Sequence, residues 1–277
     1  MAARALLTPT MPQDTLRHNA MAETIEVATM PEIPRRVAII NDASFYVGPH
    51  LARSLAAKGH DLVLGDPSDQ LVAELTKLGS SVVAVANARD ISNPEASTHL
   101  VAAAMDRFGR IDSAAAASGR VITGRFLKSS VEDLEAVFKG CVEAPYHFLR
   151  AVIPVMVEQG EGQALLITSA AGARPTPGAP LYSAARAAAT MLARNVATEV
   201  ARNGVQVNVL GTNFMDFPEF LRANGVVDAE SRAKVEAQVP LGRLGTLEEF
   251  AAFCMPYVDG TSRFTTGQFV AYAGGWV

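Results

Sequence analysis

Three polar side chains in one stretch of the sequence could act together as an acid/base device. Ser169 is followed thirteen positions later by Tyr182, and Arg186 comes four residues after the tyrosine. Residues four apart on a helix lie one turn apart on the same face, so the guanidinium can lie against the phenol. A tyrosine in water ionises only near about pH 10, so a neighbouring cation is needed to stabilise the phenolate at neutral pH. The serine would hydrogen-bond the oxygen atom of a substrate and orient it.

The elements around these residues are predicted to place them at one edge of a sheet. The apolar run Leu165 to Ile167 predicts a buried strand that delivers Ser169 at its carboxyl end. A loop rich in Gly and Pro follows, from Gly172 to Pro180, and the Ala-rich segment from about Leu181 favours a helix. The loop can fold the start of that helix back over the end of the strand, which brings the tyrosine close to the serine.

Strands and helices alternate along the rest of the chain. Besides the run at Leu165, strands are predicted from Arg36 onward and at Asp61–Gly65, Ser81–Ala86, Ser113–Ala117, Val205–Leu210 and Gln268–Tyr272. Helices are predicted at His50–Lys58, Pro67–Leu78, Pro94–Phe108, about Val131–Gln159 and Leu181–Asn203. This alternation indicates an α/β fold, a single-domain doubly wound parallel sheet of the Rossmann-like type.

Composition narrows the functional classes. The chain has 277 residues, 49% of them apolar, which is enough for one large core. A net charge of -4 gives no electrostatic reason to expect nucleic acid, and no apolar run approaches a membrane span. Two cysteines are too few for a disulfide framework and favour a cytoplasmic location. No histidine has the spacing of a metal ligand set, so no metal site is predicted.

The first 35 residues differ from the rest. They contain scattered prolines, no sustained periodicity and three methionines after the first, so an alternative start at Met11 or Met21 is conceivable. We expect a flexible N-terminal extension over residues 1–35, followed by a catalytic domain over residues 36–277.

The spacing Ser169-x12-Tyr182-x3-Arg186 resembles the catalytic signature of the short-chain dehydrogenases/reductases, in which the last residue is normally Lys. Proteins of this fold bind a dinucleotide through a glycine-containing loop after the first strand, because the pyrophosphate approaches bare backbone there. In this chain Asp42 and Tyr46 stand at two glycine positions, and only Gly48 remains. A carboxylate would repel a phosphate and a phenol ring would fill its space. The loop therefore predicts that NAD does not fit and that no cofactor is used.

A catalytic triad combined with an altered glycine loop resembles the halohydrin dehalogenases, over about Arg36 to Trp276. Besides the triad, the resemblance is carried by the aromatic residue in Tyr46-Val47-Gly48 and by the segment Gly211 to Met215. That family's loop usually begins with Thr, where this chain has Asn41.

The resemblance implies a cofactor-independent lyase that converts vicinal haloalcohols to epoxides and halide. In reverse it would open epoxides with anions such as azide, cyanide or nitrite. Tyr182 would be the base, Arg186 would stabilise the phenolate and Ser169 would hold the substrate oxygen. The halide or nucleophile would lie in a nest formed by Tyr46, Gly48, Thr212, Asn213, Phe214 and Met215. The same resemblance implies a homotetramer, paired through the helices Val131–Gln159 and Leu181–Asn203.

Other interpretations remain open. The protein could be an NAD(P)-dependent short-chain oxidoreductase with a degenerate nucleotide loop, or an inactive, reductase-like binding protein. Tyr46 could be a plain packing residue, Asn213 could only shape its turn, and Trp276 could pack on a neighbouring subunit.

Overall fold

A single parallel sheet organises the protein, whose computed structural model describes residues 35–276. Its spatial order is β3-β2-β1-β4-β5-β6-β7, and every neighbouring pair is parallel. The strands are β1 (Val37–Ile40), β2 (Asp61–Gly65), β3 (Val82–Val85), β4 (Ser113–Ala117), β5 (Gly162–Ser169), β6 (Val205–Thr212) and β7 (Phe269–Tyr272). The strand order reverses between β1 and β4, because β2 and β3 are added on one side of β1 and β4 to β7 on the other, so the predicted doubly wound fold is confirmed.

Helices cover both faces of the sheet. They are α1 (Gly48–Ala57), α2 (Asp69–Lys77), α3 (Pro94–Phe108), α4 (Val131–Phe138), α5 (Ala144–Gln159), α6 (Pro180–Val200), α7 (Pro218–Ala223), α8 (Ala229–Glu236) and α9 (Leu247–Cys254). One apolar core packs α3, α5 and α6 against the sheet around Phe148 and Leu100. The other packs α1, α2 and α9 around Leu51 and Phe250. Burial on both faces explains why β1 and β4, at the centre of the sheet, are apolar except for Ser113.

The long helix predicted over Val131–Gln159 is interrupted. A π-helical turn at Lys139–Glu143 separates α4 from α5. Pro145 has no backbone N–H to donate within a continuous helix, which favours a change of hydrogen-bond register here. The Cys141 side chain in this turn is fully buried, as expected for a small core residue.

The carboxyl end of β1 is tied to its neighbours by the side chain of Asn41. Its Oδ1 accepts from the backbone N–H of Ala117, and its Nδ2 donates to the carbonyls of Ala117 and Arg89 at 3.1 and 3.0 Å. The residue that departs from the dehalogenase pattern therefore joins β4 and the loop after β3 to β1, which fixes the edge of the sheet where the site lies.

Two expectations concern the ends of the chain and membranes. The predicted extension, residues 1–35, lies outside the described residues except for Arg35, and Val277 lies outside them as well. Within residues 35–276, no helix has the length and apolar character needed to cross a bilayer.

Candidate active site

Ser169 is the last residue of β5 and is nearly buried. It lies opposite Thr212 of β6 in the sheet register. Its hydroxyl donates to the Thr212 carbonyl at 3.3 Å and accepts from the Ala171 N–H at 3.2 Å. These two bonds hold the hydroxyl at the carboxyl edge of the sheet, where the sequence predicted it.

Tyr182 and Arg186 lie on α6, which begins at Pro180 because proline is preorganised for the first helical turn. The Arg186 Cζ atom lies 5.0 Å from the centre of the Tyr182 ring, so the predicted one-turn contact is present. A Cβ on Gly172 would come within 2.8 Å of the Arg186 carbonyl carbon. This glycine lets α6 approach the turn after β5, and Ser169, Tyr182 and Arg186 line one cleft.

In the part of the chain that the structure describes, the guanidinium of Arg186 is buried and forms no ion pair with a carboxylate. The residue is 5% exposed, and its Nε and Nη1 atoms have no hydrogen-bond partner among the described residues. Burial acts to lower the pKa of Arg186, but Tyr182, Cys141 and Tyr46 outweigh it, so the pKa is raised and the side chain stays cationic. Buried polar groups are normally hydrogen-bonded, so these two donor nitrogens indicate that a bound ligand supplies the missing acceptor atoms.

Gly119 gives this guanidinium its room, and sequence reasoning did not assign it a role. Its φ of +151° suits glycine, and an added Cβ would lie 2.8 Å from Arg186 Cζ and closer still to Nη2. The signal was present in the sequence, because the turn after β4 keeps this one glycine, but its partner is 67 residues away and only the fold brings them together.

The cleft at the carboxyl edge of the sheet has a volume of about 1280 Å³. Five of the six residues assigned to a halide nest line it: Tyr46, Thr212, Asn213, Phe214 and Met215. Gly48 does not line it. A Cβ on Gly48 would meet the backbone of Asp42 and Ala43, so this glycine packs α1 against the loop. The Asn213 Oδ1 accepts from the Phe214 N–H at 2.9 Å, which supports a role in shaping its turn.

Tyr46 lines the cleft and contacts Thr212 and Phe217. Its backbone is left-handed, with φ of 53°, and its hydroxyl donates to Thr212 Oγ1 at 2.9 Å. The ring centre lies 4.9 Å from that of Phe217. Burial raises the pKa of the Tyr46 phenol, so the side chain remains neutral and continues to donate.

Two carboxylates near the loop between β1 and α1 already have hydrogen-bond or ion-pair partners within the protein. Asp42 accepts from the N–H and the hydroxyl of Ser44 at 3.0 and 2.7 Å and lies 3.6 Å from the Arg89 Nε atom. Asp66, after β2, accepts from three successive N–H groups, those of residues 87–89. The predicted repulsion of a phosphate by Asp42 is therefore reduced by a compensating cation that the local sequence does not reveal.

Comparison with known proteins identifies the family. Residues 44–277 match the family model described as Enoyl-(Acyl carrier protein) reductase. The chain is 30% identical over 256 residues to a 3-oxoacyl-[acyl-carrier-protein] reductase of Synechocystis, covering 90% of this chain and 99% of that relative. This chain is a short-chain dehydrogenase/reductase.

Further members of the family are similar along most of their length. The chain is 26% identical over 245 residues to the 2,5-dichloro-2,5-cyclohexadiene-1,4-diol dehydrogenase LinX of Sphingobium indicum, covering 87% of this chain and 96% of the relative. The crystal structure of levodione reductase superposes with a TM-score of 0.77 at 24% identity, covering 87% and 96% of the two chains. That likeness confirms the fold.

These relatives correct the predicted chemistry. We predicted a cofactor-independent lyase, a halohydrin dehalogenase, and that prediction is wrong: the relatives named from the sequence comparison are a reductase and a dehydrogenase. The triad could not separate the two classes, because the same Ser, Tyr and cation serve proton transfer in both. The halide nest and the haloalcohol, epoxide and anion partners rested on that resemblance and lose their basis with it.

Proposed function

We propose that this protein is an oxidoreductase that interconverts an alcohol and the corresponding carbonyl compound, with NAD or NADP as the hydride carrier. The observation that carries the proposal is the buried Arg186, which shares one cleft with Tyr182 and Ser169 and has two nitrogens without a hydrogen-bond partner within residues 35–276. Membership of the short-chain dehydrogenase/reductase family supports the same chemistry.

Arg186 fits the ribose hydroxyls of a nicotinamide nucleotide, since each hydroxyl oxygen can accept from Nε or Nη1. Helix α1 begins at Gly48 without a side-chain cap, but the Gly48 N–H donates to the Phe45 carbonyl at 3.2 Å and Pro49 has no N–H. Among the first three residues of the helix, this leaves the His50 N–H as a donor for a phosphate. The cleft also lies beside the β1/β4 reversal of strand order, where dinucleotides bind in this fold. Tyr46 is the residue that fits poorly, and its ring has to turn away from Thr212 to admit the nicotinamide end.

The chain's own residues would handle the proton. When bound, the nicotinamide would supply or accept the hydride. Tyr182 would donate its hydroxyl proton to the substrate oxygen during reduction and remove a proton from the alcohol during oxidation. Ser169 would turn its hydroxyl from the Thr212 carbonyl to that oxygen and orient it. Arg186, 5.0 Å from the phenol ring, would stabilise the phenolate left behind.

The test is the oxidation of NADH or NADPH by a panel of ketones and aldehydes. The reaction is monitored as the decrease in the absorbance of the reduced nicotinamide. We expect turnover that is lost in Tyr182→Phe and retained in Tyr146→Phe, a matched variant whose phenol is half exposed on α5 outside the cleft. No consumption of either dinucleotide, together with no binding of either by calorimetry, would rule the proposal out.

We further propose that the protein assembles as a homotetramer. The segment before α4 and the outer faces of α4, α5 and α6 expose large apolar side chains, including Leu127 at 95%, Phe126, Val131, Tyr146 and Met191. Exposed apolar patches of this kind mark association surfaces. Light scattering should give about four times the chain mass of 29.3 kDa, and Leu127→Asp should shift the distribution towards smaller species. A stable wild-type monomer would refute the assembly.

A further inference from the structure

Four aromatic side chains form a continuous run that we call the aromatic wall: Phe217, Phe220, Phe214 and Trp276. The ring centres are 6.2 Å apart between Phe217 and Phe220, 5.8 Å between Phe220 and Phe214, and 5.5 Å between Phe214 and Trp276. The first three line the cleft. These separations are those of favourable aromatic pairs, so the wall is a packed unit.

The wall is held firmly from behind. Phe214 sits in a left-handed conformation, with φ of 53°, in the turn shaped by Asn213. It belongs to a small apolar core with Val235, Val239 and Leu244, against which Phe220 and Trp276 pack. At the outer end, the Arg174 guanidinium stacks over the Trp276 ring at 4.5 Å. A surface supported in this way is preorganised to receive a flat apolar group.

The Phe217 end of the wall is linked to Ser169 through two residues, Tyr46 and Thr212. The Phe217 ring lies against Tyr46, whose hydroxyl bonds the Thr212 side chain. The Thr212 carbonyl in turn accepts the hydrogen bond of Ser169. Ser169, Tyr182, Phe217 and Phe220 line the same cleft, so a substrate whose oxygen is held by the serine and the tyrosine shares that cleft with the aromatic wall.

The charges near the wall do not offer a site for an ionised substituent. The Asp216 carboxylate, next to Phe217, is paired with Arg232 at 2.6 Å. Glu219 forms an ion pair with Arg222 at 2.6 Å on the exposed side of α7. Arg174 lies over Trp276, which itself does not line the cleft. An uncharged ring is the group that these faces accommodate without an unpaired charge.

We propose that the aromatic wall binds the ring of an aryl ketone, or of the corresponding secondary alcohol, while the reactive oxygen lies at Ser169 and Tyr182. This inference rests on the proposed function and adds a substrate class to it. The ring stacks on Phe217 and Phe220, the two members of the wall nearest the catalytic residues along the contacts described above.

Binding can be measured without turnover, because Trp276 is the single tryptophan of the chain and belongs to the wall. Tryptophan fluorescence is titrated with an aryl methyl ketone, a linear methyl ketone of equal carbon number, and the aryl ketone carrying a ring carboxylate. We expect the neutral aryl ketone to bind at least about fivefold more tightly than either of the others. Equal or weaker binding of the aryl ketone would overturn the inference.

Phe220→Leu tests the wall directly, since it keeps apolar bulk and removes the ring. We expect the Kd and KM for the aryl ketone to rise about fivefold, with kcat within about twofold and the linear ketone unaffected. Phe253→Leu is the matched control, because its ring packs on Tyr257 and Tyr272 outside the cleft. Equal losses for both ketones in Phe220→Leu would refute a specific ring site.

The two proposals fail in different ways. Aryl ketone binding that depends on Phe220, without any dinucleotide-dependent turnover, would retain the wall and reject the oxidoreductase. Turnover of ketones without aryl preference would retain the oxidoreductase and reject the wall.

Discussion

Two regions of the molecule meet at one cleft and differ in how closely they follow the family pattern. The segment from β5 to α6 supplies Ser169, Tyr182 and a cation at Arg186, in the spacing of the short-chain dehydrogenases/reductases. The loop from β1 to α1 replaces two glycines by Asp42 and Tyr46. The first region therefore indicates proton transfer, whereas the second decides what else can share the cleft.

The difference shows that the fold constrains the two regions unequally. In the loop, the fold needs only Gly48, whose missing Cβ lets α1 pack against the Asp42 backbone. The other positions can change without loss of the sheet, provided that the new side chains find partners, as Asp42 does with Arg89 and Tyr46 with Thr212. Departures in this loop thus alter the ligand site and leave the architecture intact.

The largest expected effect is a loss of activity without a loss of stability, on substitution of Tyr182 in the β5–α6 segment. Tyr182→Phe should lower dinucleotide-dependent turnover about a thousandfold, because the acid/base group is lost, while the melting temperature stays near that of the wild type. Steady-state kinetics and thermal unfolding measure the two quantities. Turnover above about a tenth of wild type would show that another group transfers the proton.

Arg186→Gln should lower the rate of alcohol oxidation at neutral pH about a hundredfold, and part of that rate should return as the pH rises, because the phenolate that acts as the base then forms without the cation. Removing this cation orphans no carboxylate, since none is hydrogen-bonded to it in residues 35–276, so we expect little loss of stability. Arg194→Gln, on the same helix but exposed, is the matched control. If Arg194→Gln lost as much activity as Arg186→Gln, the loss would come from damage to the helix and not from removal of the cation beside Tyr182.

Two glycines allow a finer test of the catalytic segment. Gly119 and Gly124 have φ of 151° and 156°, but an added Cβ meets Arg186 at the first and nothing within 4 Å at the second. Gly119→Ala should therefore displace the guanidinium and lower turnover about tenfold, beyond any effect of Gly124→Ala. The pH profile should shift towards that of Arg186→Gln. Equal behaviour of the two alanine variants would mean that backbone strain alone is responsible.

The loop is tested by opening it. Tyr46→Gly removes the ring and the bond to Thr212, and glycine suits the φ of 53° at this position. We expect NADH to bind about fivefold more tightly, by roughly the net value of one hydrogen bond. Tyr46→Phe keeps the ring and should give less gain. Calorimetric titration measures both, and unchanged affinity in Tyr46→Gly would show that the ring is no obstacle.

The smallest effect concerns alkaline stability. Burial raises the pKa of Tyr46 in the folded protein above the value of about 10 in the unfolded chain. Above about pH 10 the unfolded chain releases this proton more readily, so the free energy of unfolding should fall as the pH rises. In Tyr46→Phe that contribution is absent. Its melting temperature should decline less steeply between about pH 9.5 and 11, and parallel declines would contradict the assignment.

Much of the fold could be predicted because periodicity and caps are local. The bounds of β2, α3 and β4 agree with the prediction residue for residue. The short helices α7, α8 and α9 were missed, since six to eight residues carry little periodicity. Asp228 and Thr246 are capping residues that could have indicated α8 and α9. After Thr246, the apolar residues Leu247, Phe250, Ala251 and Cys254 also have helical spacing, so α9 was predictable from the sequence. The π-helical turn before α5 was not predicted, because a continuous helix would show the same pattern of apolar residues.

The site was predictable only in part. The spacing of Ser169, Tyr182 and Arg186 predicted one cleft, because a strand end and a short loop leave few geometries. The Asp42–Arg89 pair and the Arg174–Trp276 stack join residues far apart in sequence, and no local pattern reveals them. The predicted lyase came from treating the loop as a decisive signal when its charge was already compensated.

Thr212 bears on engineering, because its side chain accepts a hydrogen bond from Tyr46 in the loop and its carbonyl accepts one from Ser169. At Thr212 the two regions are joined by hydrogen bonds and not by a shared stretch of backbone. We therefore expect that a new β1–α1 loop can be grafted without rebuilding the β5–α6 segment. After such a graft, the Thr212 hydroxyl still has the Thr168 carbonyl at 3.4 Å as an acceptor. The β1–α1 loop could thus be replaced to change the ligand, while the β5–α6 segment that would transfer the proton is kept.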